Sequence, residues 1–382
     1  MTTTLPSAAP VALQRIDRFV GRTMNWFYDH MRFVPRHRPV VICDVLENRA
    51  EFPELDAILL DPVRLGPRIW NRLNKTSLFP PDASRLRRLQ AMVFHSHLGY
   101  VATEDRRLVH SLDLPWVVSY YGADVYLLGR DPVWVRNYQW VFKRASKVLS
   151  LGPAMSAGLE EIGCPAEKIV IHPLGVDAVA LRNQPRVRAP GEPLRILFAG
   201  TFREKKGARY LIEAAHVLKT RGVPLTLTLV GDAAGRPGDQ QTKEEIFSLL
   251  AKYGLDSVCT QHKWLSFEKL IDVGLASHVF VVPSVTAEDG DAEGSPAVMG
   301  QMMATGMPTV ATRHSDIPYT FGPYADRLVP ERDPMALVER LQRYYDEPET
   351  MTREGLEYRA HILATFDTRI CAGALSSVYD TL

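Results

Sequence analysis

Residues 194–222 read LRILFAGTFREKKGARYLIEAAHVLKTRG. LRILFAG is a nearly continuous apolar run, the pattern of a parallel strand covered on both faces. ARYLIEAAHVLKTRG (208–222) is helix-like. Between them lies GTFREKKG (200–207), a loop bounded by glycines that carries Arg203, Lys205 and Lys206. Glycine, clustered cations and a following helix N-terminus suit a phosphate. The loop is not a GxxxxGK[ST] nucleotide loop, and no GxGxxG follows any predicted strand. The missing GxGxxG argues against a dinucleotide oxidoreductase.

The same alternation continues on both sides. Downstream come LTLTLVG (225–231), VFVVPS (279–284) and PTVAT (308–312), with the helix-like TKEEIFSLLAKYG (242–254) among them. Upstream come RPVVICDVL (38–46), AMVFHSH (91–97), PWVVSYYG (115–122), KVLSLG (147–152) and KIVIHPLGVD (168–177). RNQPRVRAPGEP (182–193), polar and rich in Pro and Arg, reads as a linker. Strands alternating with helices imply βαβ units. The expected fold class is α/β, with two doubly wound, Rossmann-like domains, 1–185 and 190–364, facing a cleft. Ligands of such sheets bind at strand C-terminal ends, so the loops there are expected to carry the chemistry.

The composition agrees with a globular protein. The 382 residues are 46% hydrophobic and 23% charged, which fits two or three soluble domains. No run approaches the eighteen or so apolar residues of a membrane span. The start, MTTTLPSAAPVALQR, lacks a basic and then apolar secretion signal. The expected location is cytoplasmic. Cys43, Cys164, Cys259 and Cys371 are far apart with no CxxC, which gives neither a disulfide framework nor a zinc site. Residues 1–150 hold 21 Lys and Arg against 14 Asp and Glu, and the remainder 24 against 30. The basic excess peaks at 64–88, RLGPRIWNRLNKTSLFPPDASRLRR, where Trp70, Leu73 and Phe79 lie among the cations. Such a surface suits peripheral contact with an anionic membrane or a lipid-linked phosphate. A merely solvated face is the plainer alternative.

Two further loops follow strands of the second half. GDAAGRPGDQ (231–240) is glycine-broken and receives no assignment. EDGDAEGSPAVMGQMMATGMPTVAT (288–312) opens with acidic residues that have little to pack. Ser295 suits an N-cap and Pro296 the first helical position, so a helix is expected over 296–305, ended by Gly306 and Pro308. Ala297 and Ala304 share the face of Gln301 and Gly300 adjoins it, leaving room for a flat ligand. Glu293, just before that helix, can accept hydrogen bonds from hydroxyls. A calcium-loop reading of EDGDAE fails, because position 12 from Asp289 is Gly300 rather than Glu. No metal site is expected. His95 and His97 at a strand end, and Asp124 after Tyr121-Gly122, read as cleft contacts, with ordinary polar packing as the alternative. Met299, Met302, Met303 and Met307 read as core filling.

The run EGSPAVMGQMMATGMPTVAT, the loop GTFREKKG and the segment KWLSFEKLIDVGLASHVFVVPS (263–284) together resemble the retaining glycosyltransferases of family 4, which have the GT-B fold. HSHLG (95–99), YYGADV (120–125) and IHPLGVD (171–177) resemble their N-terminal landmarks. The resemblance covers roughly residues 90–380 and points to bacterial surface-polysaccharide enzymes. It implies that a UDP- or GDP-linked sugar is held in the C-terminal domain and passed, with retention of configuration, to a glycan or lipid-linked acceptor. The nucleotide sugar is a co-substrate, and neither cofactor nor metal is implied. Lys206 and Arg203 would hold the diphosphate and stabilise it as it leaves, and Glu293 would bind sugar hydroxyls. Gly200, Thr201, Gly294, Ser295, Pro296, Ala297 and Gln301 would line the donor. His95, His97, Tyr121, Asp124 and Gly21 would lie on the acceptor side. The closing segment 365–382 would be a helix packed back on the N-terminal domain.

This sequence departs from the family pattern at three places. A ribose-binding Glu is Gln301, a phosphate-binding Arg is Thr201, and a His before the G-x-D motif is Tyr121. These departures raise an alternative, a weak or inactive relative that binds nucleotide sugars or serves as a partner subunit. The intact Arg203, Lys206 and Glu293 favour the enzyme.

Overall fold

The computed structural model describes residues 9–21, 24–48, 52, 55–60 and 83–382. Residues 64–82, most of the basic segment, lie outside the described residues. The chain divides into two compact units, one running to Val176 and resuming at Asp367–Leu382, the other Asp177–Phe366.

The first unit is a seven-stranded parallel sheet of β1 (Val11–Arg15), β2 (Arg38–Cys43), β3 (Asp56–Leu59), β4 (Val93–His97), β5 (Trp116–Ser119), β6 (Lys147–Ser150) and β7 (Ile169–Ile171), in the order 3-2-1-4-5-6-7. Side chains alternate between its faces because successive strand residues point opposite ways. Leu13, Val40, Phe94 and Val118 pack on one face. Ala12, Val41, Val93 and Val117 pack on the other, together with Phe27 of α1 (Asn25–Arg32). That second face is completed by the end of the chain, through Ala372, Leu375 and Tyr379.

The second unit is a five-stranded parallel sheet of β8 (Leu194–Ala199), β9 (Leu225–Val230), β10 (Cys259–His262), β11 (Val279–Val282) and β12 (Thr309–Ala311), in the order 10-9-8-11-12. Strand order reverses between β8 and β11. In such sheets the crevice outside these strand ends is the usual ligand position. Helix α2 (Ala208–Thr220) buries Leu211, Ala215 and Leu218 against Ile196, Leu227 and Val281. Met299, Met302, Met303 and Met307 are wholly buried, and a Cβ on Gly274 would come within 2.5 Å of the Met302 sulfur.

Three boundaries differ from expectation. The stretch 182–193 is not a free linker but part of the second unit. Buried Arg186 ties it there through the carbonyls of Ser277 and Gly274 and the hydroxyl of Thr305. The short helix α3 is Ala297–Ala304, with Pro296 rather than Ser295 at its N-cap position. Ser295 does not cap because its hydroxyl bonds to that of Thr320 at 2.8 Å. The last helix, α4, is Thr368–Asp380, started by an Asp367 cap, while Thr365 ends the preceding helix.

Candidate functional site

The loops after β8 and β11 meet closely. Gly207 has φ +66, and a Cβ there would lie 1.8 Å from the Pro283 carbonyl oxygen. Only glycine permits that approach. The contact brings residues 203–206 against 291–293. Lys206 Nζ donates to Glu293 Oε2 at 2.8 Å. Lys205, itself buried, donates to Asp291 Oδ1 at 3.0 Å and to the Ala292 carbonyl at 3.1 Å, and lies 3.3 Å from Glu293 Oε1. Arg236, from the glycine-broken loop after β9, stands 3.5 Å from Asp291 Oδ2.

Glu293 is buried, and burial alone would raise its carboxyl pKa. The charges of Lys206 and Lys205 and the Lys206 hydrogen bond outweigh burial and bring it down to about 2. Glu293 is therefore a carboxylate at any physiological pH and an acceptor only. Three cations (Lys205, Lys206, Arg236) face two carboxylates (Asp291, Glu293), so the cluster carries a positive excess. That excess, at the switch point of a parallel sheet, suits an anion.

In the acidic stretch expected to stay unpacked, Glu288 and Asp289 are exposed as expected, but its second half is buried. Ala287, Asp291, Ala292 and Glu293 are all under a tenth exposed. The physical reason is Lys205, which supplies the counter-charge inside. Its contribution was not legible from the loop, where Arg203, Lys205 and Lys206 look equivalent. Arg203 lies 3.3 Å from Asp239 rather than beside Glu293. Asp239 also accepts the backbone N–H groups of Ala234 and Arg236, so this pair organises the loop after β9. Gly200 and half-buried Thr201 begin the phosphate-like loop, and a Cβ on Gly200 would lie 3.4 Å from Lys206 Cδ. Gly294, Pro296 and half-buried Ala297 follow Glu293 directly. Gln301 is 7% exposed. No hydrogen bond joins its side chain to another described residue.

The first unit gathers its candidates differently. His95 and His97 stack at 4.0 Å between centroids, both buried on the face that Tyr379 covers. Gln14 sets their tautomers. Its oxygen takes the Nε2–H of His97 (2.9 Å), leaving Nδ1 to accept from the Tyr121 hydroxyl (2.5 Å). Its nitrogen donates to the Tyr379 hydroxyl (3.0 Å), which donates to His95 Nδ1 (2.6 Å), and His95 Nε2–H reaches Ser119 Oγ (2.8 Å). Burial holds both imidazoles well below the usual histidine pKa, so they are neutral. Burial also raises the Tyr121 pKa, which makes it a poor base. Asp124 departs from its expected cleft role. Its oxygens accept the N–H groups of Gly99, Tyr121 and Gly122, so it shapes the turn. Gly21 is half-buried, and its carbonyl accepts the Met24 N–H. Gln14, Ser119 and Tyr379 were missed by the sequence reading, and no local motif marks them. Among the described residues no group of three or more His, Cys, Asp or Glu is placed to hold a metal ion.

Two doubly wound parallel units define the GT-B fold. The same fold occurs in sucrose-phosphate synthase from Thermosynechococcus elongatus (TM-score 0.77, 18% identity, 98% of each chain). It also occurs in Anabaena Alr3699/HepE solved with UDP-glucose (TM-score 0.76, 14% identity, 97% of this chain and all of that one). Residues 32–179 match the model of Glycosyltransferase Family 4, and residues 181–360 match that of glycosyl transferases group 1. The chain belongs to the family 4 glycosyltransferases. It is 34% identical to WcaL of Escherichia coli K12, named for colanic acid biosynthesis, over 54% of this chain and half of WcaL. It is 28% identical to the amylovoran biosynthesis glycosyltransferase AmsK of Erwinia amylovora, over 76% of this chain and 70% of AmsK. The match thus spans half the length of WcaL.

Proposed function

We propose that this chain moves a sugar from a UDP- or GDP-linked donor to a glycan or lipid-linked acceptor in surface-polysaccharide synthesis, with retention of configuration. One observation carries the reading: half-buried Lys206 pairs with buried Glu293 at the switch point of the second unit, inside a cluster with excess positive charge. Lys206 suits a diphosphate oxygen, and Glu293 suits sugar hydroxyls because it is acceptor-only. Gln301, polar and without a hydrogen-bond partner among the described residues, suits the ribose. Arg203 serves by holding the loop after β9.

In the proposed reaction the sugar C1–O bond breaks and its electron pair passes to the phosphate oxygen. Lys206 stabilises that charge. The acceptor hydroxyl attacks from the same face, and its proton passes to the departing phosphate. No side-chain base is required, which accords with the raised pKa of Tyr121. The lysines supply the positive charge, and the donor is a co-substrate, so the reading needs neither cofactor nor metal. His95, His97 and Tyr121 shape the acceptor side. The names of WcaL and AmsK favour a bacterial polysaccharide as the product.

Peripheral membrane contact through 64–88 is part of the proposal. Its described end, Arg85, Arg87 and Arg88, is exposed. Among the described residues no helix is long and apolar enough to cross a membrane. Binding to anionic vesicles should weaken as salt rises, and salt-independent binding would remove this part.

The direct test is the heat of binding of UDP, GDP, ADP and NAD to wild type and Lys206→Ala. One nucleoside diphosphate should bind, and Lys206→Ala should weaken it by about tenfold to a hundredfold, the range for losing a hydrogen bond to a charged group. Silence from every nucleotide would overturn the donor reading.

A further inference from the structure

We infer that His314 and Glu331 form a brace that positions the Glu293 carboxylate, making both positioning residues for donor-sugar selection. The inference rests on the proposed reading of Glu293 as the sugar contact. Its observations are independent of that reading.

Glu331 uses its two oxygens on the two ends of the acidic loop. Oε2 accepts the Thr286 N–H at 2.9 Å, where the loop begins. Oε1 lies 2.6 Å from His314 Nδ1. The other ring nitrogen, Nε2, accepts the Glu293 N–H at 3.0 Å, where the loop ends. This fixes the tautomer: a carboxylate accepts only, so Nδ1 carries the proton and Nε2 is free to accept. His314 is 1% exposed, and it follows β12 at the sheet's C-terminal edge. Its ring therefore passes the position of one loop end to the other.

The neighbouring residue strengthens the brace. Arg332 has φ +59, a left-handed conformation that non-glycine residues seldom adopt and that marks over-determined sites. Its guanidinium donates to the Thr286 carbonyl and to the Tyr210 hydroxyl (2.9 Å). Residues 331 and 332 thus grip both backbone polar groups of one residue, Thr286. Glu293 meets its lysines through its side chain and the brace through its backbone, so the carboxylate is held from two directions. A sugar hydroxyl gains from an acceptor already in place, because the ordering cost is met before binding.

The test compares wild type with Glu331→Gln, His314→Gln and Glu293→Gln. Two readouts are used: amide exchange at Glu293, and the affinity of UDP-glucose relative to UDP and of GDP-mannose relative to GDP. A carboxamide accepts on one atom only, so Glu331→Gln must lose one end of the brace. That substitution should speed Glu293 exchange about tenfold and lower the sugar-to-diphosphate affinity ratio about fivefold, the range of one lost hydrogen bond. The bare diphosphate should bind as before. His314→Gln can keep an acceptor near the Glu293 N–H but loses the link to Glu331, so it should lower the ratio by a similar factor, and an unchanged ratio there also overturns the brace. Unchanged exchange in Glu331→Gln overturns the brace, as does an equal loss for sugar nucleotide and bare diphosphate. A ratio that falls in Glu293→Gln but not in Glu331→Gln overturns the brace alone. A ratio unmoved by Glu293→Gln, or no binding by either nucleotide pair, overturns the sugar contact itself.

Discussion

Each unit buries a polar cluster at the C-terminal ends of its strands, and the two clusters solve the cost of burial in opposite ways. In the first unit His95, His97, Gln14, Tyr121 and Tyr379 are neutral, and each donor finds an acceptor. In the second, Lys205 and Lys206 form ion pairs with Asp291 and Glu293, with Arg236 adding a further cation. A neutral network closes on itself and suits hydroxyls. A charged network with an excess is a standing site for an anion. The difference accords with the proposed placement of the donor in the second unit and the acceptor in the first.

The comparison breaks most visibly when a lysine is removed. Lys205→Met takes the buried cation from Asp291 and leaves Glu293 with Lys206 alone, and should cost about 3–5 kcal/mol of stability. His95→Phe removes partners from Tyr379 and Ser119 but strands no charge, and should cost about 1–3 kcal/mol. Chemical denaturation of both variants checks the ranking, and equal costs would erase the distinction.

Acid should sharpen it. His95 is neutral when folded, while the unfolded chain binds a proton there below about pH 6.5, so its contribution falls as pH falls. The cost of His95→Phe should therefore shrink by about 1.4 kcal/mol per pH unit below 6.5. Glu293 has the opposite sign: its folded pKa of about 2 is depressed below the ordinary 4.5. Its stabilisation is complete above 4.5 and is lost only as pH falls towards 2. The wild-type contribution of Glu293 should stay level from about pH 8 to 5. Denaturation at pH 7.5, 6 and 5 separates the two curves.

The smallest effect concerns Gln301. Glu at that position would give the ribose a charged acceptor, worth about 1 kcal/mol. Nucleotide affinity should rise by no more than about tenfold, read by binding heats. A fall would mean that Gln301 donates rather than accepts.

Much of the fold was legible locally. LRILFAG, LTLTLVG and VFVV announce parallel strands because both faces of the sheet are covered, and they occupy β8, β9 and β11. Lys206 and Glu293 were legible from their loops. The helix start at Ser295 was misread because a hydroxyl can cap or bond elsewhere with similar energy, and Thr320 offers the alternative. The linker 182–193 was misread because Pro and Arg are common in linkers, yet an Arg can also reach several carbonyls at once.

By itself the sequence determined the strand–helix alternation, the glycines that let loops approach and the presence of basic and acidic loops. These depend on residues near one another in the chain. Only the tertiary structure decided that Lys205 sits inside between two carboxylates, that His314 joins Glu331 to Glu293, and that Gln14 meets Tyr379 across 365 positions. Periodicity reports which face of an element is covered. It does not report which distant side chain covers it, and the energy of a buried polar group depends on that partner.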